Sequence, residues 1–336
     1  MQWFSAGTTC CDGASRRMMA GVARISRASG DTEAAYRFLR RRFGEGVEMG
    51  DDLAQGAWSR AYAFRYQGRD LVVRFNPNRH AFDADRLAVR FASPALPIPT
   101  VLEVGEVDRD EYYAISERCF GDFLEDLGPE RMEAAVPSLL ATLDALRAAD
   151  TGGSSGYGPW DEDGNGRYRD WSEFLLAVDA GTPEAIRNTW RRDLASDELA
   201  ERTFAEGMRE LEALACRCPH RRDLVHSDLL HGNVFMSGAR IAGLIDWQSA
   251  LYGDHVYELA WLTFCAPPWA PGLATVGLGD RALDHWRAAE VDLIDFDIRL
   301  RCYEIRIGVA ALVGLTWRRD LPNRGLAARR LAEVLG

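Results

Sequence analysis

The run Val225-His226-Ser227-Asp228-Leu229-Leu230-His231-Gly232-Asn233-Val234, followed by Leu244-Ile245-Asp246-Trp247, holds the residue types that phosphoryl transfer needs. Asp228 can orient an acceptor hydroxyl and take up its proton. The amide oxygen of Asn233 and the carboxylate of Asp246 can hold magnesium on nucleotide phosphates. The spacing has a mechanical reason. Residues 233–236 and 239–246 each read as a short apolar strand with Ser237-Gly238 as the turn, and a hairpin returns Asp246 to the side of Asn233. Magnesium takes hard oxygen ligands and keeps several waters, so one amide and one carboxylate beside phosphate oxygens form a sufficient site. His226 is expected to brace the loop by hydrogen bonding, the alternative being a satisfied core histidine.

The same residues carry a family resemblance. His226-Ser-Asp228-Leu-Leu-His-Gly-Asn233-Val, then Ile245-Asp246-Trp247, resembles the catalytic signature of the aminoglycoside phosphotransferases, which are relatives of the eukaryotic protein kinases. The likeness is greatest to the hygromycin B branch of that family. Supporting stretches follow in the same order from about residue 50 to residue 265: Trp58-Ser-Arg-Ala-Tyr-Ala-Phe, Phe91-Ala-Ser-Pro-Ala-Leu-Pro-Ile-Pro, Ser155-Gly-Tyr-Gly-Pro and Tyr252-Gly-Asp-His-Val-Tyr-Glu-Leu-Ala. The resemblance implies an α+β, protein-kinase-like, two-lobed fold with an antiparallel-sheet N-lobe and a mainly helical C-lobe. It also implies ATP and Mg2+ as cofactors, with GTP left open.

Length and composition agree. A chain of 336 residues exceeds the usual single domain, so two lobes with a cleft between them are expected. A hydrophobic content of 47% with 27% charged residues describes a globular protein with a large core. The net charge of -11 repels nucleic acid and suits a cationic small molecule, although an acidic surface also serves solubility. Seven cysteines are scattered without a metal-knuckle or redox spacing, which points to the cytoplasm. No segment has the length of a membrane span or the pattern of a signal peptide. The first 30 residues lack periodicity and read as a disordered lead.

All 40 basic residues are Arg, and the chain has no Lys. Kinase-like folds hold the nucleotide phosphates with a Lys on the third N-lobe strand. The resemblance places Arg74 there, at the end of Asp70-Leu-Val-Val-Arg-Phe, and a guanidinium fork is chemically fit for phosphate, the other reading being an outward-facing strand Arg. By the same analogy a carboxylate on the next helix, residues 82–91, pairs with that cation. Asp85 is the candidate, with Asp83 next, and a solvated charge is the other reading. Before them, a helix from Asp31 or Thr32 to Arg42 with Ala35, Phe38 and Leu39 on one face precedes strands at 48–53, 61–66 and 70–75. Gly56 and the backbone near Ser59, between the first two strands, could cover phosphates, although a plain hairpin turn would look the same. Further strands are expected at 101–107 and 111–116. By resemblance, backbone groups from Ser116 to Arg118 meet the adenine, so the N-lobe spans 31–118 and the C-lobe 119–336.

The C-lobe reads as helical over 132–149 and over 197–216, the latter with a stripe of Ala200, Phe204, Met208, Leu211 and Ala215. Between them, Asp161, Glu162 and Asp163 could meet substrate ammonium groups with Trp160 as an apolar wall, or simply form a solvated loop. Asp254 caps a following helix, and the family pattern makes it a support of the catalytic loop. Glu258, Glu304 and Trp269 are further substrate candidates, Trp269 by resemblance to an aromatic segment of the hygromycin B branch. Cys265 and Gly232 depart from that branch, which carries Trp and Asn there, and point to a shifted aminocyclitol specificity. The expected activity is transfer of the γ-phosphoryl group of ATP to a hydroxyl of an aminoglycoside, conferring resistance. A metabolic kinase acting on choline, homoserine or a sugar, and a non-catalytic nucleotide-binding module, are the alternatives. The acceptor hydroxyl and the oligomeric state leave no mark on the sequence.

Overall fold

The computed structural model describes residues 32–53, 59–108, 111–180 and 189–336. The expected lead at 1–30, the capping Asp31 and the phosphate-loop Gly56 therefore lie outside the described residues. The described chain divides into two compact units, 32–90 with 99–119, and 91–98 with 120–336.

The first unit is a helix on a five-stranded antiparallel sheet. Helix α1 spans 32–43. The strands are β1 (Val47–Asp52), β2 (Arg60–Tyr66), β3 (Arg69–Asn76), β4 (Val101–Asp108) and β5 (Glu111–Glu117), with helix α2 (Arg79–Ala88) between β3 and β4. They pair in the order β1-β2-β3-β5-β4. Gln67 and Gly68 both have positive φ, which matches the right-handed twist of the β2–β3 hairpin and makes Gly the natural second residue. Strand alternation sends Leu71, Val73 and Phe75 into a core shared with Ala35 and Leu39 of α1, where Phe38 meets Phe75 and Tyr113 edge-on. Arg74, of opposite parity, belongs to the other face. Helix α2 starts at Arg79, earlier than the expected Phe82, because the Asn78 side chain accepts the His80 N–H and caps it there.

The second unit contains β6 (Asp122–Phe123), α3 (Pro129–Ala148), β7 (Tyr157–Trp160), β8 (Gly166–Tyr168), α4 (Trp171–Leu176), α5 (Trp190–Leu194), α6 (Glu198–Ala215) and β9 (Asp223–Val225). After these come β10 (Val234–Ser237), β11 (Arg240–Leu244), β12 (Leu251–Gly253), α7 (Val256–Trp269), α8 (Pro271–Ala274), α9 (Leu278–Ala288), α10 (Phe296–Trp317) and α11 (Leu321–Leu335). Two small sheets, β11-β10-β6 and β8-β7-β12-β9, frame the loop that joins β9 to β10. Helix α7 is apolar almost all round, and both α7 and α10 are largely buried, as the central helices of a large core must be. No helix among the described residues is long and apolar enough to cross a membrane.

Two expectations shift here. Residues 91–98, expected in the N-lobe, belong to the second unit, because the Thr142 hydroxyl donates to Ala95 O and Leu244 N–H to Pro97 O. On α6 the buried face is Ala200, Thr203, Gly207, Leu211 and Ala215, with Phe204 and Met208 only half-buried. Gly207 sits there because α10 comes close: a Cβ on it would lie 2.7 Å from Val309 Cγ2.

Candidate active site

The loop 226–233 is held in a shape that its backbone would not choose unaided. Ser227 and His231 have φ of 58° and 60°, as does Asp246 at 64°, where L-residues with side chains are uncommon. Hydrogen bonds over-determine that shape. One carboxylate oxygen of Glu258, at the start of α7, accepts the N–H of His226 at 2.6 Å and of Ser227 at 2.8 Å. The Ser227 hydroxyl donates to Ser249 O at 2.7 Å. Glu125 accepts the Gly232 N–H, and the positive φ of 83° at Gly232 suits its residue type.

The hairpin β10–β11 does what its sequence implies. Val234 pairs with Leu244, and Ile245 N–H donates to Asn233 O at 3.0 Å, so residues 233 and 246 emerge side by side. The Asn233 side-chain N–H donates to Asp228 O at 3.0 Å, which assigns nitrogen to that side of the amide and leaves Oδ1 as its acceptor end. The imidazole of His226 bonds Ile245 O at 3.1 Å and packs edge-on against Trp247. It ties the loop to the strand end that bears Asp246, the bracing expected of it.

His231 was given no role by its sequence position. Its Nδ1 lies 2.8 Å from Asp228 Oδ1, and both side chains are buried, 6% and 3% exposed. Burial opposes charge on this imidazole, yet the adjacent Asp228 carboxylate, with Glu125 beyond it, outweighs burial and raises its pKa. The indole edges of Trp261 and Trp269 flank the ring, with Trp269 centred 6.0 Å away.

In the first unit, Arg74 and Asp85 form an ion pair with side chains 16% and 7% exposed, and the guanidinium lies over the Phe82 ring. The shorter Asp reaches because Arg74 leans onto α2. Ser59, which precedes β2, is half-buried, and Ser116 is buried between Val72 and Val101 in mid-sheet. The Arg118 N–H is committed to Asp70 O at 3.2 Å, so that N–H is not the group that reads a base.

Four substrate candidates turn out to be structural. Trp160 is 1% exposed and stacked on Trp247, and it is core rather than a wall of a substrate pocket. Asp161 Oδ1 accepts the N–H of Asp163 and Asn165, which commits that oxygen to shaping the β7–β8 turn. Glu304 accepts from the Thr263 hydroxyl at 2.7 Å and faces Arg330 at 3.7 Å, a clamp between α7, α10 and α11. Glu258 is buried beneath the loop, where burial pushes its carboxyl up to about 8 against the two backbone N–H bonds that favour its ionised form. Glu258 therefore supplies the loop support expected of Asp254. Asp254 instead binds Arg299 through both oxygens, at 2.6 and 2.7 Å, and the Tyr303 hydroxyl at 2.7 Å. Of the five substrate candidates, Trp269 alone stands against the ring that touches Asp228.

Taken chemically, these features make a carboxylate fixed by a neighbouring donor beside two oxygen-bearing side chains at the mouth of a hairpin. Residues 52–291 match the phosphotransferase enzyme family. Over 277 residues, 82% of this chain and 77% of the relative, the sequence is 34% identical to the hygromycin-B 4-O-kinase of Escherichia coli. Over 94 residues, 28% of each protein, it is 34% identical to the homoserine kinase of Methylobacterium nodulans. A crystal structure of a thermostable mutant of aminoglycoside phosphotransferase APH(4)-Ia, in ternary complex with AMP-PNP and hygromycin B, matches with a TM-score of 0.76 at 32% identity. That match covers 89% of this chain and 97% of the other. The GDP and kanamycin complex of APH(2'')-IIIa matches with a TM-score of 0.62 at 16% identity, which shows the shared fold alone. The chain, a kinase-like phosphotransferase, belongs to the phosphotransferase enzyme family.

Proposed function

We propose that this enzyme transfers the γ-phosphoryl group of ATP to a hydroxyl of an aminoglycoside or aminocyclitol of the hygromycin B type, and so protects a cell from that antibiotic. The observation that carries the reading is the likeness to a hygromycin-B 4-O-kinase over 82% of the chain, with Asp228, Asn233 and Asp246 all inside the aligned family region. Asp228 acts as the base: as the acceptor oxygen bonds to the γ-phosphorus and the bond to the β-phosphate oxygen breaks, the carboxylate takes the hydroxyl proton. The products are a phosphate ester and ADP.

Asn233 and Asp246 would hold Mg2+. The fit rests on their adjacent strand ends, on oxygen donors alone, and on the Asn233 amide whose nitrogen is already turned to Asp228 O. When bound, the ion supplies charge neutralisation on the phosphates. Arg74, steadied by Asp85, is our candidate for the nucleotide phosphates in the first unit, and backbone groups near Ser116 for the base. The net charge of -11 suits a polycationic acceptor, and a cytoplasmic site of action follows from ATP as donor.

The short likeness to a homoserine kinase favours one second reading, a metabolic kinase. A coupled ADP-release assay separates the two. It would run hygromycin B, other aminoglycosides, homoserine, choline and sugars as acceptors, with ATP and with GTP, before and after chelation of divalent cations. Turnover on hygromycin-type acceptors that chelation abolishes is the expected result. Turnover on homoserine with none on any aminoglycoside would overturn the first reading. Asp228→Ala should cost about 10³-fold in kcat with nucleotide binding retained, and wild-type-like turnover by it would remove Asp228 from its role.

A further inference from the structure

We propose that His231 is a positioning residue for the base: it donates its Nδ1–H to Oδ1 of Asp228 and thereby fixes which carboxylate oxygen works on the acceptor hydroxyl. The inference rests on Asp228 being that base.

The geometry argues it in three steps. An ionised carboxylate can only accept, so at 2.8 Å the proton of this hydrogen bond lies on Nδ1. A carboxylate turns about its Cβ–Cγ bond in a broad, nearly two-fold well, and a directed donor on one oxygen narrows that freedom. Proton transfer from an attacking hydroxyl is efficient only in a narrow range of positions, so holding one oxygen orients the other. The donor is itself held. His231 has φ of 60°, between Asp228 and Gly232, whose N–H is bound by Glu125, and its ring is edged by Trp261 and Trp269. A loop residue that keeps an uncommon backbone conformation and a buried ring, in order to bond one oxygen of one carboxylate, is placed for that bond.

The backbone also names the test. Asn, Asp and Gly all tolerate positive φ, so replacements can differ in chemistry without adding strain. In His231→Asn the amide nitrogen branches from the same carbon position as Nδ1 and keeps a donor. His231→Asp has nearly the same shape but offers only acceptors and a like charge, and His231→Gly offers nothing. Steady-state kinetics on hygromycin B with ATP should show His231→Asn within about threefold of wild type in kcat. His231→Asp and His231→Gly should lose about a hundredfold, with the KM for ATP little changed in all three. Thermal unfolding identifies any variant that fails to fold, and the Asn and Gly pair then decides alone. Equal loss in Asn and Gly, equal retention in all three, or a loss carried in KM rather than kcat overturns the proposal. Asp228→Ala in the same assay keeps the two claims apart: full activity there ends the base assignment itself, whereas its loss leaves the His231 variants to decide the positioning role.

Discussion

Replacing Glu258 by Gln should leave the enzyme folded and active at neutral pH and remove a fall in stability between about pH 4.5 and pH 8. The carboxyl is buried, its pKa lies at about 8 instead of 4.5, and one of its oxygens accepts two backbone N–H groups of the catalytic loop. At pH 7 it is therefore mostly protonated in the folded state, and a primary amide is nearly isosteric with a carboxylic acid. The sign follows from the raised value. Below pH 4.5 both folded and unfolded chains hold the proton, and the favourable contribution is complete. Between 4.5 and 8 only the unfolded chain releases it, so stability falls by about 1.4 kcal/mol per pH unit, and above 8 the loss is complete. The window amounts to about 5 kcal/mol at most, and the Gln variant, having nothing to ionise, escapes that loss. Urea unfolding of both proteins from pH 5 to pH 9 should show the variant gaining on wild type as pH rises to about 8 and gaining no more above it. Glu258→Ala should instead lose about 2–5 kcal/mol at every pH, since it strands two buried donors, and should lower kcat by loosening the strained loop. A Gln variant as unstable as the Ala variant, or one whose curve runs parallel to wild type, would refute the reasoning.

Three further outcomes follow from the packing and the charges. Arg74→Ala should raise the KM for ATP about ten- to a hundredfold in steady-state kinetics, the value of a lost hydrogen bond to a charged group, with a smaller effect from Asp85→Asn. Asp254→Ala should cost about 3–5 kcal/mol in chemical denaturation, because it leaves the Arg299 guanidinium buried beside the Tyr303 hydroxyl without its counter-charge. Gly253→Ala should cost about 1–3 kcal/mol by calorimetry, since the new Cβ would sit 2.2 Å from the Trp171 ring in a filled core. A melting point unchanged by either of the last two would contradict the burial on which they rest.

How far the sequence could be read depended on how local each interaction is. The Asn233–Asp246 relation spans one tight hairpin, and the adjacency of its strand ends follows from chain connectivity alone. The Arg74 position came from the family resemblance, to which strand alternation adds only the face it belongs to, and its preferred partner Asp85 is the carboxylate that α2, starting at Arg79, brings to it. The carboxylates of the second unit were not separable at all. Asp161, Glu258 and Glu304 are identical in kind to a substrate-binding group, and only their partners, a turn, a loop backbone and a threonine–arginine clamp, show that they are structural. Trp160 failed for the same reason, since an indole beside acidic residues reads as a pocket wall until its stacking on Trp247 is seen.

The sequence by itself determined which atoms are available for the chemistry: an Asp, an Asn and a second Asp at spacings that a loop and a hairpin bring to one place. It also determined that an Arg must stand in for Lys wherever a phosphate needs a cation. Only the tertiary structure decided who holds them. Glu258 lies 30 residues beyond Asp228 and Glu125 lies 103 before it, and neither distance carries any periodic signal. Even His231, three residues from Asp228, bonds it only because left-handed backbone at 231 turns its ring back. Short-range order is written in residue spacing, whereas the choice of partner for a buried polar group is made by whichever distant element packs against it.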